Sequence, residues 1–302
     1  MLLQLLRVKQ WIKNIFILAP LLFSERLFEL QSLLVSIRAF FSFCLISSAI
    51  YIINDIHDKK SDSIHPKKRE RPIASGKIGI KKALILVIIL LISGYTLALY
   101  LNFSFILILI FYVILNLFYT YIGKSLVFID AFCISVGFVL RVIGGAYAIS
   151  VYASGWIIMV TFFISLFLGF GKRRNELLLL KKTHANHRKV LKKYDAVFLN
   201  HVLISCGTIS IISYALYTLD PSIIKQFGTD KLIFTVPFVA YGIFRYMYLL
   251  WNEQEGDPTD LVIKDRNLLI TVFLWVVTTI LLIYISNPHF SQITVNIKKW
   301  GF

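Results

Sequence analysis

The stretch Asn54-Asp55-Ile56-His57-Asp58-Lys59-Lys60-Ser61-Asp62 ends a long apolar run and carries three aspartates in the pattern NDxxDxxxD. On a helix, Asp55, Asp58 and Asp62 stand at positions i, i+3 and i+7 and therefore share one face. Three carboxylates that converge on one point repel one another unless a cation lies among them. Oxygen ligands suit Mg²⁺, which takes its remaining ligands from waters and substrate phosphates. The stretch therefore predicts a Mg²⁺ site that binds a diphosphate where a bilayer meets water.

The composition is that of an integral membrane protein. The chain has 302 residues, of which 58% are hydrophobic, and a mean hydropathy of +0.75, which is far too apolar for a soluble domain of this length. We therefore predict an all-α integral membrane protein, a single polytopic domain over residues 1–302. Its nine transmembrane helices are expected at about 12–24, 33–54, 83–100, 104–122, 126–149, 156–177, 197–218, 231–250 and 268–286. The first is short and suits a tilted or partly interfacial segment.

The basic residues predict the orientation of the chain. The net charge is +16 at pH 7 and is concentrated in the loops after the second and sixth helices, whereas the loops near 102 and 150–155 carry no Lys or Arg. The positive-inside rule then places the N-terminus and both basic loops in the cytoplasm, below the inner (plasma) membrane. The polar clusters suited to chemistry fall on that side, which predicts catalytic loops at about 55–82, 171–196 and 251–267. We expect contact with lipid headgroups and none with nucleic acid.

A basic run follows the acidic stretch directly, from His65 to Gly76. Lys67 and Arg71 are candidates for neutralising diphosphate oxygens, which an arginine can bind bidentately. Asn54 is a candidate for orienting a metal ligand or donating to a phosphate oxygen. A simpler interpretation stays open, in which a solvated helix end carries acids that balance the neighbouring lysines.

The pattern from Asn54 to Asp62 resembles the first Asp-rich motif of the UbiA superfamily of intramembrane prenyltransferases. More narrowly, several segments resemble the decaprenyl-phosphate phosphoribosyltransferase family: Arg7–Asn14, Asn54–Gly76, Tyr121–Lys124 with Asp130, Arg141–Gly145, and Gly256–Pro258 with Asp265 and Arg266. The resemblance implies a UbiA-type helical bundle and an enzyme, a pentosyl transferase. It implies transfer of 5-phosphoribose from phosphoribosyl diphosphate to a polyprenyl phosphate, with Mg²⁺ as cofactor and diphosphate as the leaving group.

A second site departs from the usual pattern of that superfamily, which has a DxxxD motif on its sixth helix. Here the helix end reads Gly171-Lys172-Arg173-Arg174-Asn175-Glu176, and only Glu176 is acidic. On a helix, Lys172 and Arg173 stand four and three residues before Glu176, within reach of its carboxylate. Fixed cations suit substrates with more phosphate groups, so we predict that all three residues bind substrate. A basic anchor with an incidental ion pair is the alternative.

The matching segments supply further candidate substrate-binding residues: Lys13, Asn14, Tyr121, Lys124, Asp130 and Arg141. Lys13 and Asn14 stand at the start of the first helix, within reach of a phosphate. Lys124 is a candidate for the lipid phosphate or the 5-phosphate, and Asp130 for the ribose hydroxyls or the metal. Arg141 lies deep in the bilayer, where a charge is costly and usually functional. Three roles stay open for Arg141: contact with substrate, pairing with a buried acid, or extension of the side chain towards the outer surface.

Two other functions are compatible with parts of this pattern. A conventional UbiA prenyltransferase moves an isoprenoid from a prenyl diphosphate to an aromatic acceptor; it shares the first motif but is expected to have a second acidic one. A membrane transporter or scaffold with a cation site needs charged residues along a path through the bilayer, whereas the charges here cluster on one side. The length of the polyprenyl chain stays open, and close-packing helix faces allow a homo-oligomer.

Overall fold

The computed structural model describes residues 1–64, 68–183, 194–252 and 264–285. For residues 179–183 it describes the backbone but not the side chains. The described residues are mainly helical and contain no β-strand. Their α-helices are α1 (Leu2–Leu5), α2 (Ala19–Phe23), α3 (Leu30–His57), α4 (Lys59–Ile64), α5 (Ile80–Leu99), α6 (Phe103–Tyr121), α7 (Ile129–Ala148), α8 (Gly155–Thr183), α9 (Ala196–Leu219), α10 (Pro221–Phe227), α11 (Val236–Asn252) and α12 (Arg266–Ile285). Stretches of 3-10 helix cover Val8–Leu18, Lys68–Glu70, Gly123–Ser125 and Lys231–Thr235.

Eight stretches in the described part of the chain are long and apolar enough to cross a membrane: Leu30–His57, Ile80–Leu99, Phe103–Tyr121, Ile129–Ala148, Gly155–Leu178, Ala196–Leu219, Lys231–Asn252 and Arg266–Ile285. Each matches a predicted span to within a few residues. A backbone in hydrocarbon must satisfy its own hydrogen bonds, so an apolar run of this length forms a helix. Side chains cap some of these helices: Asn102 Oδ1 accepts from the Phe105 N–H at 2.9 Å at the start of α6.

The chain divides into two compact units. Among the described residues, the first holds Met1–Ala153, Thr183 and Tyr194, and the second holds the remainder from Ser154 onward. In the first unit, α3 packs against α5, α6 and α7. In the second unit, α9 and α12 meet at a buried tyrosine, Tyr214, whose hydroxyl accepts from Trp275 Nε1 at 2.9 Å. The predicted organisation as one domain stays a prediction.

The N-terminal segment differs from the helix predicted at about 12–24. It is a 3-10 helix over Val8–Leu18, followed by the short helix α2. With 11 residues rising about 2.0 Å each and 5 residues rising about 1.5 Å each, the two together reach about 30 Å. The run is longer than an α-helix of the same 16 residues would be, because a 3-10 helix covers more distance per residue.

The same segment runs along the length of α7. Its first residues lie beside the acidic stretch, as described below. Near its middle, Asn14 Oδ1 accepts from Arg141 Nε at 2.7 Å. Beyond its far end, Arg26 Nη1 donates to the carbonyl of Ile149 at 3.1 Å, just after α7 ends. Eight of the nine predicted spans are therefore found as long apolar helices in the described part of the chain, whereas the predicted first span is replaced by this 3-10 segment and α2.

The fit of this segment against α7 depends on Gly145. A Cβ at this position would overlap the backbone carbonyl of Ile17, so we expect Gly145→Ala to force the two backbones apart and to lower the free energy of unfolding by about 3 kcal/mol. Thermal unfolding of the purified protein in detergent measures the change. Gly155→Ala is the matched control, because a Cβ there meets open space. Equal melting temperatures for the two variants would contradict the close contact.

Candidate active site

The acidic stretch lies at the end of α3 and continues into α4. Asp58 lies between the two helices, but its N–H donates to the Asn54 carbonyl at 2.9 Å, and the Asp62 N–H donates to the Asp58 carbonyl at 2.8 Å. The helical hydrogen-bond pattern thus continues across the junction, and Asp55 and Asp62 come to the same side. Both are almost fully buried, with exposures of 3% and 4%.

Arg71 bridges two of the three carboxylates. Its Nη1 donates to Asp55 Oδ1 at 3.1 Å and to Asp62 Oδ2 at 2.6 Å. The following turn holds the arginine in place, since its N–H donates to the Lys68 carbonyl at 3.0 Å and its carbonyl accepts from the Ser75 N–H at 2.9 Å. A guanidinium therefore lies between carboxylates that the sequence predicts to repel one another.

Arg7 is a second cation on Asp55, and the sequence did not indicate it as a site residue. Its guanidinium hydrogen-bonds Asp55 Oδ1 and lies over the ring of Tyr51, 5.2 Å from the centroid. Arg7 has a left-handed backbone conformation, with φ of 50° and ψ of 46°, at the start of the 3-10 helix. Arg7 belongs to an N-terminal segment that carries the family resemblance. Its contact with Asp55 could not be predicted from the sequence, because the two residues are 48 positions apart.

Asp58 pairs with a different cation. Lys124, from the 3-10 turn between α6 and α7, hydrogen-bonds Asp58 Oδ1, and His57 Nδ1 lies 3.1 Å from the same oxygen. The ring of Tyr121 packs edge-on against His57, with 5.1 Å between the centroids. The structure therefore brings two predicted substrate-binding residues, Tyr121 and Lys124, to the acidic stretch.

Within the described ranges, no three His, Cys, Asp or Glu side chains are arranged to hold a metal ion together. The three carboxylates pair with different cations instead. Arg71 pairs with Asp55 and Asp62, whereas Lys124 pairs with Asp58. The oxygen donors still suit Mg²⁺, which needs only one or two protein carboxylates when substrate phosphates supply further ligands. Asn54 adds an amide oxygen next to Asp55 that is buried and has no hydrogen-bond partner. Metal binding by the aspartates stays a prediction.

Asn14 and Arg141 lie inside the helix packing and bind each other. Besides Asn14, the Arg141 guanidinium donates to the Gly137 carbonyl and to the Tyr112 hydroxyl, both at 2.8 Å. These partners are neutral groups and not the buried acid considered from the sequence; hydrogen bonds and the Tyr112 ring, 4.8 Å away, stabilise the charge. The network joins the N-terminal segment to α6 and α7. Lys13, the neighbour of Asn14, is partly exposed.

Asp130 is fully buried in the first turn of α7. Its Oδ1 accepts from the Ala131 N–H at 2.8 Å and from the Tyr194 hydroxyl at 3.1 Å. The helix dipole stabilises a carboxylate at this end of a helix. Asp130 thus has a structural role that the sequence does not reveal, while its predicted contact with ribose or metal stays a prediction.

The second unit carries the basic end of α8. Arg173 is 1% exposed, and its Nη1 donates to Glu176 Oε2 at 2.5 Å, which is the i, i+3 pair that the spacing predicts. Lys172 and Glu176 are partly exposed. The pair fixes the position of a buried guanidinium, whereas Lys172 is more accessible to solvent.

Two neighbours of this pair have environments that the sequence does not reveal. Arg174 donates to Asn200 Oδ1 at 2.6 Å and to the Leu250 carbonyl at 2.7 Å. Asn175 is 2% exposed, and neither its amide nitrogen nor its amide oxygen has a hydrogen-bond partner. Burying an amide without partners costs roughly 2–7 kcal/mol, so Asn175 is a candidate ligand-binding residue.

Some predicted site residues lie outside the described residues: Lys67, and positions 184–193 and 253–263 of the predicted catalytic loops. At the edge of the last loop, Arg245 Nη2 donates to Asp265 Oδ2 at 2.7 Å, and the Leu268 N–H donates to Asp265 Oδ1 at 2.8 Å. The hydrogen bond from Arg245 lowers the pKa of the Asp265 carboxyl. The pair therefore stays ionised at neutral pH and holds the start of α12.

Comparison with known proteins identifies the family. The sequence model of the UbiA prenyltransferase family matches residues 15–268. The chain belongs to the UbiA prenyltransferase family. This result confirms the resemblance seen in the acidic stretch, and together with the eight apolar helices it makes the protein a multi-pass membrane protein.

Two UbiA relatives match almost the whole chain. Decaprenyl-phosphate phosphoribosyltransferase of Corynebacterium glutamicum is 33% identical over 93% of this chain and 86% of its own length. The protein of the same name from Mycolicibacterium smegmatis is 32% identical over 94% of this chain and 93% of its own length. A solved UbiA homolog from Archaeoglobus fulgidus, bound to DMAPP and Mg²⁺, has a TM-score of 0.67 at 18% identity and covers 94% of this chain and 98% of that one. The structural likeness confirms the predicted UbiA-type helical bundle.

Proposed function

We propose that this UbiA family member transfers 5-phosphoribose from phosphoribosyl diphosphate to a polyprenyl phosphate, releases diphosphate and depends on Mg²⁺. The observation that carries the proposal is the similarity along almost the entire chain to two decaprenyl-phosphate phosphoribosyltransferases, at 33% and 32% identity. The basic end of α8 supports it, because Lys172 and Arg173 stand where a conventional prenyltransferase is expected to have acidic residues.

We propose further that the chain acts as one polytopic domain in the plasma membrane, alone or as a homo-oligomer, with its N-terminus and active site in the cytoplasm. The two basic loops support this orientation through the positive-inside rule. The contacts of Asp55 with Arg7 and of Asp58 with Lys124 bring the charged groups of the proposed active site together within the first unit.

Asn54 and the three aspartates are the residues that would hold Mg²⁺. Their oxygens are hard ligands, and Asn54 Oδ1 is buried without a partner. When bound, the ion neutralises charge on the diphosphate and makes it a better leaving group. Arg7 and Arg71 already lie on Asp55, and we propose that they bind diphosphate oxygens that the metal does not take. The same role is proposed for Lys67.

The reaction is a substitution at the ribose. The bond between ribose C1 and the diphosphate oxygen breaks, and its electron pair leaves with the diphosphate. A lone pair of a polyprenyl phosphate oxygen forms the new bond to C1 from the opposite face. The attacking phosphate is already an anion, so the site needs no strong general base. Catalysis then rests on positioning and on the cations that stabilise charge building on the diphosphate.

The other candidate residues are proposed to bind the remaining phosphates or to support the site. Lys172 and Arg173 would hold the lipid phosphate or the 5-phosphate. Arg173 is nearly fully buried and paired with Glu176, so a phosphate there would meet a guanidinium that is already oriented. Asn14 and Arg141, which bind each other, are proposed to support the site from within the helix packing.

The test is a product assay with the purified full-length protein, Mg²⁺, decaprenyl or undecaprenyl phosphate, and phosphoribosyl diphosphate labelled in the ribose. We expect a lipid-extractable label that requires both the lipid phosphate and Mg²⁺. Reactions without lipid and with EDTA are the controls. If no label moves, but a prenyl diphosphate is consumed with an aromatic acceptor, the conventional prenyltransferase activity replaces the proposal.

Asn175 offers a test that separates stability from function. If its buried amide binds substrate, Asn175→Leu is expected to lower turnover about tenfold or more, because the substrate loses its hydrogen bonds. The same variant is expected to raise the melting temperature, because it removes a buried amide without partners. Activity and thermal unfolding are measured on the same preparation.

The matched control for Asn175→Leu is Asn116→Leu, whose amide already donates to the Tyr112 carbonyl at 2.7 Å. We expect turnover close to that of the unaltered protein for this control. An Asn175→Leu variant that gains stability and keeps full turnover would show that the amide does not contact substrate.

A further inference from the structure

Tyr194 follows the second basic loop, and its side chain is buried in the first unit with only 6% exposure. Its hydroxyl accepts a hydrogen bond from the Phe128 N–H at 2.7 Å and donates one to Asp130 Oδ1 at 3.1 Å. Its ring packs edge-on against the Phe128 ring, with 5.8 Å between the centroids. One side chain thus ties residue 194 to the turn that precedes α7.

Phe128 has a backbone conformation that needs such support. Its φ is 68° and its ψ is −42°, and the Ile129 N–H donates to the Val127 carbonyl at 2.9 Å. This is a γ-turn of the rare, strained kind, and a positive φ is an unfavourable backbone conformation for a bulky residue. Strain of this kind persists only where the surroundings hold it, and the Tyr194 hydroxyl holds the turn by accepting from the Phe128 N–H.

The strained turn is connected directly to Lys124. The Leu126 N–H donates to the Gly123 carbonyl at 3.1 Å, and the Asp130 N–H donates to the Leu126 carbonyl at 3.4 Å, so hydrogen bonds run through the whole turn. At its start, the Lys124 ammonium hydrogen-bonds Asp58. A displacement of the turn would therefore move a cation that balances a carboxylate of the acidic stretch.

We infer that Tyr194 is a positioning residue for the active site: by holding the Phe128 turn, it keeps Lys124 against Asp58 and sets the charge that the acidic stretch presents to a diphosphate. The inference rests on the proposed function only in taking diphosphate as the ligand. A purely structural Tyr194 would contribute to stability but would not affect diphosphate binding through Lys124. The two roles therefore differ in whether Tyr194 and Lys124 act on binding together.

A double-mutant cycle distinguishes these roles. Tyr194→Phe removes the hydroxyl and keeps the ring, Lys124→Met removes the ammonium, and the double variant removes both. Isothermal titration calorimetry of the purified full-length protein gives the dissociation constant of Mg²⁺-diphosphate. We expect Tyr194→Phe to weaken binding about tenfold, the effect of one lost hydrogen bond, and the double variant to bind no more weakly than Lys124→Met alone. Effects that multiply, or unchanged affinity in Tyr194→Phe, would overturn the inference.

Two further variants separate this effect from general damage to the fold. Asp130→Asn keeps the shape of its side chain and is expected to weaken binding in the same direction as Tyr194→Phe. Tyr214→Phe removes another buried hydroxyl, 2.7 Å from Thr235 Oγ1 in the second unit, and is expected to leave the affinity unchanged. An equal loss in Tyr214→Phe would also overturn the inference.

The binding assay contains neither phosphoribosyl diphosphate nor lipid. The double-mutant cycle can therefore be measured even if the protein transfers a group other than phosphoribose. Failure of phosphoribosyl transfer therefore counts against the proposed function alone. Absence of Mg²⁺-diphosphate binding in the unaltered protein counts against this inference, because Lys124 then has no diphosphate site to complete.

Discussion

Replacing Asp55 with asparagine is expected to lower turnover about 10³-fold or more while the protein stays folded. Asp55 is 3% exposed and accepts hydrogen bonds from both Arg7 and Arg71. The amide of Asp55→Asn keeps the shape of the side chain but has no charge to offer a metal ion or to balance two guanidinium groups. Loss of an electrostatic contribution at the reacting diphosphate accounts for an effect of this size.

The fold is expected to survive Asp55→Asn because the two arginines are not fully buried. Their side chains are 20% and 28% exposed, so water can solvate the charges that lose their carboxylate. Product formation and thermal unfolding are measured together, and Asp230→Asn, at an exposed aspartate of the second unit, is the matched control. Turnover of Asp55→Asn equal to that of the control would remove Asp55 from the metal and diphosphate site.

Replacing Arg71 with methionine is expected to lower kcat/KM about 100-fold. A single nitrogen, Nη1, bridges Asp55 and Asp62 in this structure, and the same guanidinium is proposed to bind the departing diphosphate. Methionine keeps much of the side-chain volume but neither the charge nor the donors, so both functions are lost. The product assay with varied phosphoribosyl diphosphate measures the loss.

The control for Arg71→Met is Arg69→Met in the same loop. Arg69 is exposed, whereas Arg71 reaches two buried carboxylates, so the two changes remove the same charge from neighbouring positions. We expect Arg69→Met to retain nearly full activity. A similar loss in both variants would mean that the loop acts through its total charge and that the bridge between Asp55 and Asp62 has no special role.

The long helices and the acidic stretch were predictable because they depend on local properties of the chain. An apolar run of about 20 residues forms a helix in a bilayer wherever it occurs, and the spacing of Asp55 and Asp62 places them on one side of any continuous helix. The pair formed by Arg173 and Glu176 is predictable for the same reason, since an i, i+3 contact needs only the helix that carries both residues.

The N-terminal segment shows where local pattern is insufficient. Its apolar residues predict a helix, but they do not distinguish an α-helix from the 3-10 helix over Val8–Leu18. The close approach of Ile17 to Gly145 and the hydrogen bond between Asn14 and Arg141 accompany the 3-10 form. Both contacts depend on α7, which lies far along the chain.

The sequence by itself therefore determined a helical membrane protein with an acidic stretch at one helix end, because hydropathy and helical spacing are read from consecutive residues. The UbiA type followed from the resemblance of its motifs to that family. Only the tertiary structure decided which cation meets which carboxylate. Arg7 lies 48 residues from Asp55, and Tyr194 lies 66 residues from Phe128. Contacts over such separations exist only after helices pack, because packing brings together side chains whose positions in the sequence are unrelated.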